Sequence, residues 1–499
     1  MPKKSNESLT EYRDRAIDSV SPSFCGAKWY NATTWLGSGT TASCHHPPAH
    51  RIPIEEIRIS PSAIHNTKHK KLMRKLMLDG ERPRECEYCW KVEDIGKDTV
   101  SDRVFKTIIY SDEALNDIAK KPWDHDVNLK TFEISFDRVC NLACSYCNPS
   151  FSTAWARDIK QNGPYQNLVS DGAAAFQQDG SWAQPYKDDS DNPYIKAFWD
   201  WWHSGLADSL EELRITGGEP LMSQHTWKLF DWFGLQDSNM RFAINSNLIA
   251  KDDIVDRLIE KSKNIKHFEL YTSCEATGLQ AEYIRDGLDY SVWKNNITRI
   301  ANEANINGLH IMMTINSLCL FSITDFLDSV LQMKREFKVK PTVSVNLLRF
   351  PSFQSPLALP DHIKDYLRSN LNDWYESVKH DPLWHEFEKA SIERLIDYLD
   401  TVDAPHRRTS NKITLWRDFK TFYREYDQRR NKSLTVFPRI LTDWVETIPD
   451  TEYKTITLVN GDSSTQWDSD DQLQDLAKTE GWVLNPDNKN IDDSSATYD

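Results

Sequence analysis

Three cysteines, Cys140, Cys144 and Cys147, follow directly on a short run of strand-forming residues, 132–136 (FEISF). The spacing is C-x3-C-x2-C, so one tight loop at one strand end offers three thiols. In a chain without a secretory signal such a grouping points to metal rather than disulfide. Three thiolates fall one short of the closed set that structural zinc takes. They suit a four-iron cubane held by cysteine thiolates with one iron left open. An open iron is a place for a ligand.

A second strand, 213–216, ends in Gly217-Gly218-Glu219-Pro220. Paired glycines at a strand end allow close backbone approach to a ligand, and the Glu219 carboxylate can accept from an ammonium. Further strand-like runs follow at 241–247, 267–275, 309–316 and 341–348. Segments with helical apolar spacing, such as 251–262 and 323–337, separate them. Six strands alternating with helices predict an α/β fold with a parallel sheet and right-handed crossovers. In closed barrels of this kind ligands gather at the C-terminal strand ends, where the cysteines and the Gly-Gly-Glu fall.

The cysteine run, with Tyr146 before its last thiol and a Gly-Gly-Glu-Pro one strand later, resembles the radical SAM superfamily. The resemblance implies a partial (β/α)6 barrel and a [4Fe–4S] cluster on Cys140, Cys144 and Cys147. Its open iron chelates S-adenosyl-L-methionine. One electron cleaves that cofactor to a 5′-deoxyadenosyl radical, which takes hydrogen from a substrate. A reductant such as flavodoxin or ferredoxin is implied with it. Gly217, Gly218, Glu219 and Pro220 would hold the methionyl amino group. Asn245 and Asn247 lie where the third strand of the family approaches the cofactor. Ser273-x-Glu275 resembles a ribose-binding Ser-x-Asp, with Glu in place of Asp. Arg285 resembles an arginine that pairs with the cofactor's carboxylate, a natural guanidinium role. The Gly-rich adenine motif of some members has no counterpart in 341–351.

Four more cysteines precede the barrel. Cys25 and Cys44 bracket a hairpin-like segment with turn residues at Gly37 and Gly39, and Cys86-x2-Cys89 follows. Two plus two thiols is the count of a closed four-ligand site. On chemistry alone zinc fits it, and His45 or His46 could replace a thiolate. The C-x13-G-x4-C spacing resembles the opening of the SPASM/twitch auxiliary-cluster motif. Ile95 stands where a longer SPASM series would continue, so the pattern resembles the twitch type with one auxiliary [4Fe–4S] cluster. It precedes the core here, whereas the module usually follows it. Full ligation by four cysteines implies an electron-transfer role. Cys274 and Cys319 read as small buried hydrophobes.

These signals divide the chain into a flexible arm or short leading helix at 1–22, an auxiliary module at 23–128, the barrel at 129–350, a helical region at 351–460 and an acidic tail at 461–499. The polar stretch 161–192 reads as a functional or disordered insertion. Net charge is −15, and 461–499 holds ten acidic and two basic residues, which leaves about −7 for the rest. No basic stripe marks a nucleic-acid face. No apolar run is long enough for a bilayer, and the N-terminus lacks a signal core, so a cytoplasmic enzyme is expected. Its substrate would be a peptide, a protein side chain or a small molecule. A non-catalytic zinc or Fe–S interaction protein and an RNA-modifying radical SAM enzyme remain alternatives. No general base is tied to the site by spacing.

Overall fold

The structure is a computed structural model that describes residues 6–96, 98–186, 191–401 and 411–450. The acidic stretch 461–499 lies outside the described residues. The strands are β1 (Asn31–Trp35), β2 (Thr40–Ala42), β3 (His50–Arg51), β4 (Thr131–Ser135), β5 (Ala143–Cys144), β6 (Glu212–Thr216), β7 (Arg241–Ser246), β8 (Phe268–Ser273), β9 (Arg285–Asp286), β10 (Gly308–Ile315) and β11 (Pro341–Leu347). Nine of them form one sheet in the order β11-β10-β8-β7-β6-β4-β1-β2-β3. Within it β4, β6, β7, β8, β10 and β11 are all parallel, the six strands expected from the sequence. Helices Gln224–Leu235, Asp252–Ser262, Tyr290–Glu303 and Ile323–Glu336 lie between successive strands.

Period-two alternation decides which face these strands bury. Phe132, Ile134, Leu213, Ile215, Phe242, Ile244, Phe268 and Leu270 share one core with Phe230, Leu258, Ile297 and Val330 of the helices. Each fully buried side chain of this kind adds about 1.5–3 kcal/mol. The intervening residues, among them Glu133, Arg214, Glu269, Tyr271 and His310, are only partly buried and give the opposite face its polarity.

The segment before the barrel is joined to the same sheet. β1 runs parallel to β4, with Thr33 opposite Glu133, and β2 returns antiparallel beside it. Gly39 makes that turn at φ +68°, where a Cβ would overlap the Tyr194 ring. Helix Leu9–Tyr12 and the turn Arg13–Ile17 bury Tyr12 and Ile17 completely, so this part of the leading segment is packed rather than a free arm.

The polar insertion also differs from expectation. Its Tyr165 and Phe176 are buried, with ring centroids each 4.9 Å from Phe422 on helix Lys412–Arg430. Asp418 of that helix accepts hydrogen bonds from Val169 N, Ser170 N and Ser170 Oγ at 2.9, 2.7 and 2.6 Å. The described part is therefore ordered by tertiary contacts that its composition does not reveal.

Candidate functional site

The loop after β4 carries the three cysteines and is fixed from several sides. β5 pairs with β9, with Cys144 opposite Arg285, and Ser145 N donates to Ile284 O at 2.7 Å. Ser152 Oγ donates to Leu142 O at 2.7 Å and caps helix Thr153–Asn162. From that helix Trp155 Nε1 donates to Cys144 O at 2.8 Å. Gln354 Nε2 donates to Ser145 O at 2.9 Å, and Tyr423 OH donates to Gln354 Oε1 at 3.1 Å. Helix Lys412–Arg430 thus braces the cysteine loop through Gln354.

Gly217 and Gly218 have a packing role within the protein that the motif does not reveal. A Cβ on Gly218 would overlap the Val139 carbonyl, and Gly217 has φ +119° against Ser135 and Asp137. Glu219 N then donates to Val139 O at 2.6 Å. The glycines let the end of β6 lie directly on the start of the cysteine loop. Glu219 is consequently buried; it accepts from Ser246 Oγ at 2.7 Å, Asn247 N at 2.7 Å and Leu221 N at 3.0 Å. Burial pushes its carboxyl up from the ordinary range against the pull of those hydrogen bonds. Pro220 begins the short turn that follows.

Asn247 donates through Nδ2 to Asn141 Oδ1 at 2.9 Å and lies 3.9 Å from Cys140 Sγ. Asn245 Oδ1 is buried and has no hydrogen-bond partner among the described residues. Ser273 closes β8 and is partly buried. Glu275 is paired within the protein. Both its oxygens pair with Arg285, the shortest contact being 2.5 Å, and Tyr146 OH donates to it at 3.1 Å. Arg285 Nη1 in turn lies 3.8 Å from Cys144 Sγ. Burial opposes the Arg285 charge, but Glu275 outweighs it and holds the guanidinium firmly protonated. Burial raises all three thiols, Cys140 to about 12, so bound metal would have to displace their protons.

The second set of cysteines also converges. Cys25, Cys44, Cys86 and Cys89 line one cavity with Lys28, Arg103 and Lys106. Burial raises Cys86 and Cys89 to about 12. Lys28, which the sequence reading missed, is fully buried there and ion-paired with Glu85. A single tetrahedral zinc would draw four sulfurs to roughly 3.8 Å of one another, given its bond lengths of about 2.3 Å. Among the described residues no three cysteine sulfurs lie within 4.8 Å; His45, His46 and Asp102 do form such a group, beside Cys44. His46 Nε2 is 2.5 Å from Asp102 Oδ2, and its ring stacks on Tyr88, so it is occupied by these partners. Cys274 and Cys319 are fully buried, as expected of small hydrophobes.

No protein-family model matches the chain, and neither does any curated protein. Among solved structures it is similar to Streptococcus suis SuiB bound to S-adenosylmethionine, with TM-score 0.33 and 12% identity over 60% of this chain and 62% of that one. It is also similar to native anSMEcpe with bound AdoMet, with TM-score 0.30 and 14% identity over 48% and 59% of the two chains. The chain thus spans about three-fifths of each of these structures.

Proposed function

We propose that the chain is a radical SAM enzyme that uses a [4Fe–4S] cluster on Cys140, Cys144 and Cys147, with a second cluster on Cys25, Cys44, Cys86 and Cys89. The observation that carries the reading is a pair of hydrogen-bonded networks at the cysteine loop. One runs from Cys140 through Asn247 to Glu219, the other from Cys144 through Arg285 to Glu275 and Tyr146. Residues drawn from five separate stretches of sequence meet around two of the three thiols, Cys140 and Cys144.

When bound, the cluster and S-adenosylmethionine supply one-electron cleavage and a 5′-deoxyadenosyl radical for hydrogen abstraction. The chain's own residues do the holding. Glu219 uses three of about four acceptor positions internally, which leaves one for an ammonium. Arg285 puts a permanent positive charge beside Cys144, favouring the thiolate. Glu275 and Tyr146 fix the guanidinium so that this charge does not drift. At the second site Lys28 and Lys106 offset thiolate charge at Cys44 and Cys86, which suits an anionic metal site. A ferredoxin- or flavodoxin-type reductant and a cytoplasmic location belong to the same reading. Among the described residues no helix is long and apolar enough to cross a membrane.

The test is anaerobic reconstitution of the full chain with iron and sulfide, followed by dithionite and S-adenosylmethionine. Wild type should release 5′-deoxyadenosine. Cys140→Ala, Cys144→Ala and Cys147→Ala should each abolish that release. Release at the wild-type rate from any of the three would exclude the assignment.

A further inference from the structure

On the polar face of the sheet, Glu133 of β4 and Arg214 of β6 stand directly opposite in register. Facing residues of opposite charge on neighbouring strands ordinarily pair. These two do not. Arg214 turns away to lie over the Tyr271 ring at 4.3 Å. Among the described residues its nearest acceptor is Glu212 Oε1 at 3.5 Å, and its buried Nε has no hydrogen-bond partner there. Glu133 makes no hydrogen bond or ion pair with any described residue, although burial pushes its carboxyl up from the ordinary range. An acid left this way in a structural core would be destabilising.

Both residues open into a cavity of about 290 Å³, with Glu212 also on the sheet side. Cys44, His45 and Lys106 come to it from the N-terminal segment. The wall therefore carries two carboxylates, Glu133 and Glu212, against two permanent cations, Lys106 and Arg214. A balanced wall discriminates against a ligand of large net charge. Glu133 and Arg214 leave adjacent strands, whose backbones run roughly 4.8 Å apart, and both line the one cavity, so an amine and a carboxylate on one carbon skeleton can address both. The volume lies at the low end of small-molecule sites, about 300–1,000 Å³, and suits an amino acid rather than a folded chain.

We propose that this cavity binds a small zwitterion, a free amino acid, with its ammonium on Glu133 and its carboxylate on Arg214. Calling that ligand the substrate rests on the radical SAM reading; its binding does not. Cys44 in the same wall would bring the ligand beside the second cysteine site.

The experiment is calorimetric titration of the reconstituted full chain with the common L-amino acids, one at a time. The N-acetyl and carboxamide derivatives of each binder are titrated beside it. At least one free amino acid should bind saturably, and each cap should weaken it by about tenfold or more, the loss of one charge-assisted hydrogen bond. Glu133→Gln should remove the penalty for N-acetylation and keep that for amidation. Arg214→Gln should do the reverse. Absence of any binder, equal binding of the capped forms, or variants that keep both penalties would overturn the proposal. The cap comparison on wild type decides the matter even where a variant fails to fold. A wild type that cleaves S-adenosylmethionine but binds no zwitterion overturns only this inference. One that binds the zwitterion through both residues but neither binds nor cleaves S-adenosylmethionine overturns only the enzyme reading.

Discussion

Arg285 stands opposite Cys144 in the two-stranded pairing that holds the cysteine loop. It and Glu275 are both nearly inaccessible, at 4% and 1% exposure, and form an ion pair. A buried pair of this kind adds little net stability, because desolvation consumes most of the Coulomb gain. Breaking it is another matter. Arg285→Met leaves a buried carboxylate uncompensated and should cost about 3–5 kcal/mol, read by urea unfolding of the apo chain. Adding Glu275→Leu should restore most of that loss, because the stranded charge is gone. If the double variant is no more stable than the single one, the pair is not what makes Arg285 necessary. The resemblance gave Glu275 and Arg285 separate cofactor contacts as expectations; the fold in addition pairs them with each other.

Secondary-structure elements meet at a second vulnerable point, between β3 and helix Lys68–Leu78. Thr67 Oγ1 caps that helix by accepting from Lys70 N at 3.1 Å, and His50 Nε2 lies 2.9 Å from the same oxygen. Burial first, and the neighbouring Lys70 and His69 next, hold His50 down to about 3 from an ordinary 6.5. The sign follows from proton uptake. Below 6.5 the unfolded chain protonates this ring while the folded chain does not, until the pH reaches about 3. The stabilisation is present in full above 6.5 and is lost as the pH falls, at up to about 1.4 kcal/mol per pH unit. His50→Gln should flatten that part of the fall in melting temperature between pH 6.5 and 5. An unchanged slope would show that His50 titrates alike in both states. At the same scale, helix Lys412–Arg430 is the element whose place was least legible. Its apolar stripe marked it as packed, but nothing local showed that its partners were the insertion and the support of the cysteine loop.

For the whole molecule, the consequence of two cysteine sites is a metal count. Two cubanes hold about eight irons and one holds about four. The reconstituted chain should bind about eight, and Cys86→Ala/Cys89→Ala should retain about half while still cleaving S-adenosylmethionine. Stoichiometric zinc with about four irons would restrict iron to the loop after β4. The sheet gives this expectation a structural setting, because β1, which lies between Cys25 and Cys44 in the chain, is hydrogen-bonded along β4. The N-terminal cysteines are thereby tied to the strand that leads into Cys140.

The sequence by itself determined the six parallel strands, the hairpin at Gly39 and the two cysteine groupings. Each rests on short-range regularities: alternation of period two, a turn glycine, thiols spaced to share a loop. Burial on the polar face was half-visible, since Glu133, Arg214 and Glu269 interrupt strands that a parallel sheet would otherwise fill with apolar residues. Only the tertiary structure decided that Arg214 rests on Tyr271 and leaves Glu133 open, that Glu275 belongs to Arg285, and that Lys28 enters the N-terminal cysteine cavity. Each of these depends on which strands and helices become neighbours. Such pairings are selected by packing and desolvation across distant stretches of chain, and local spacing carries no record of them.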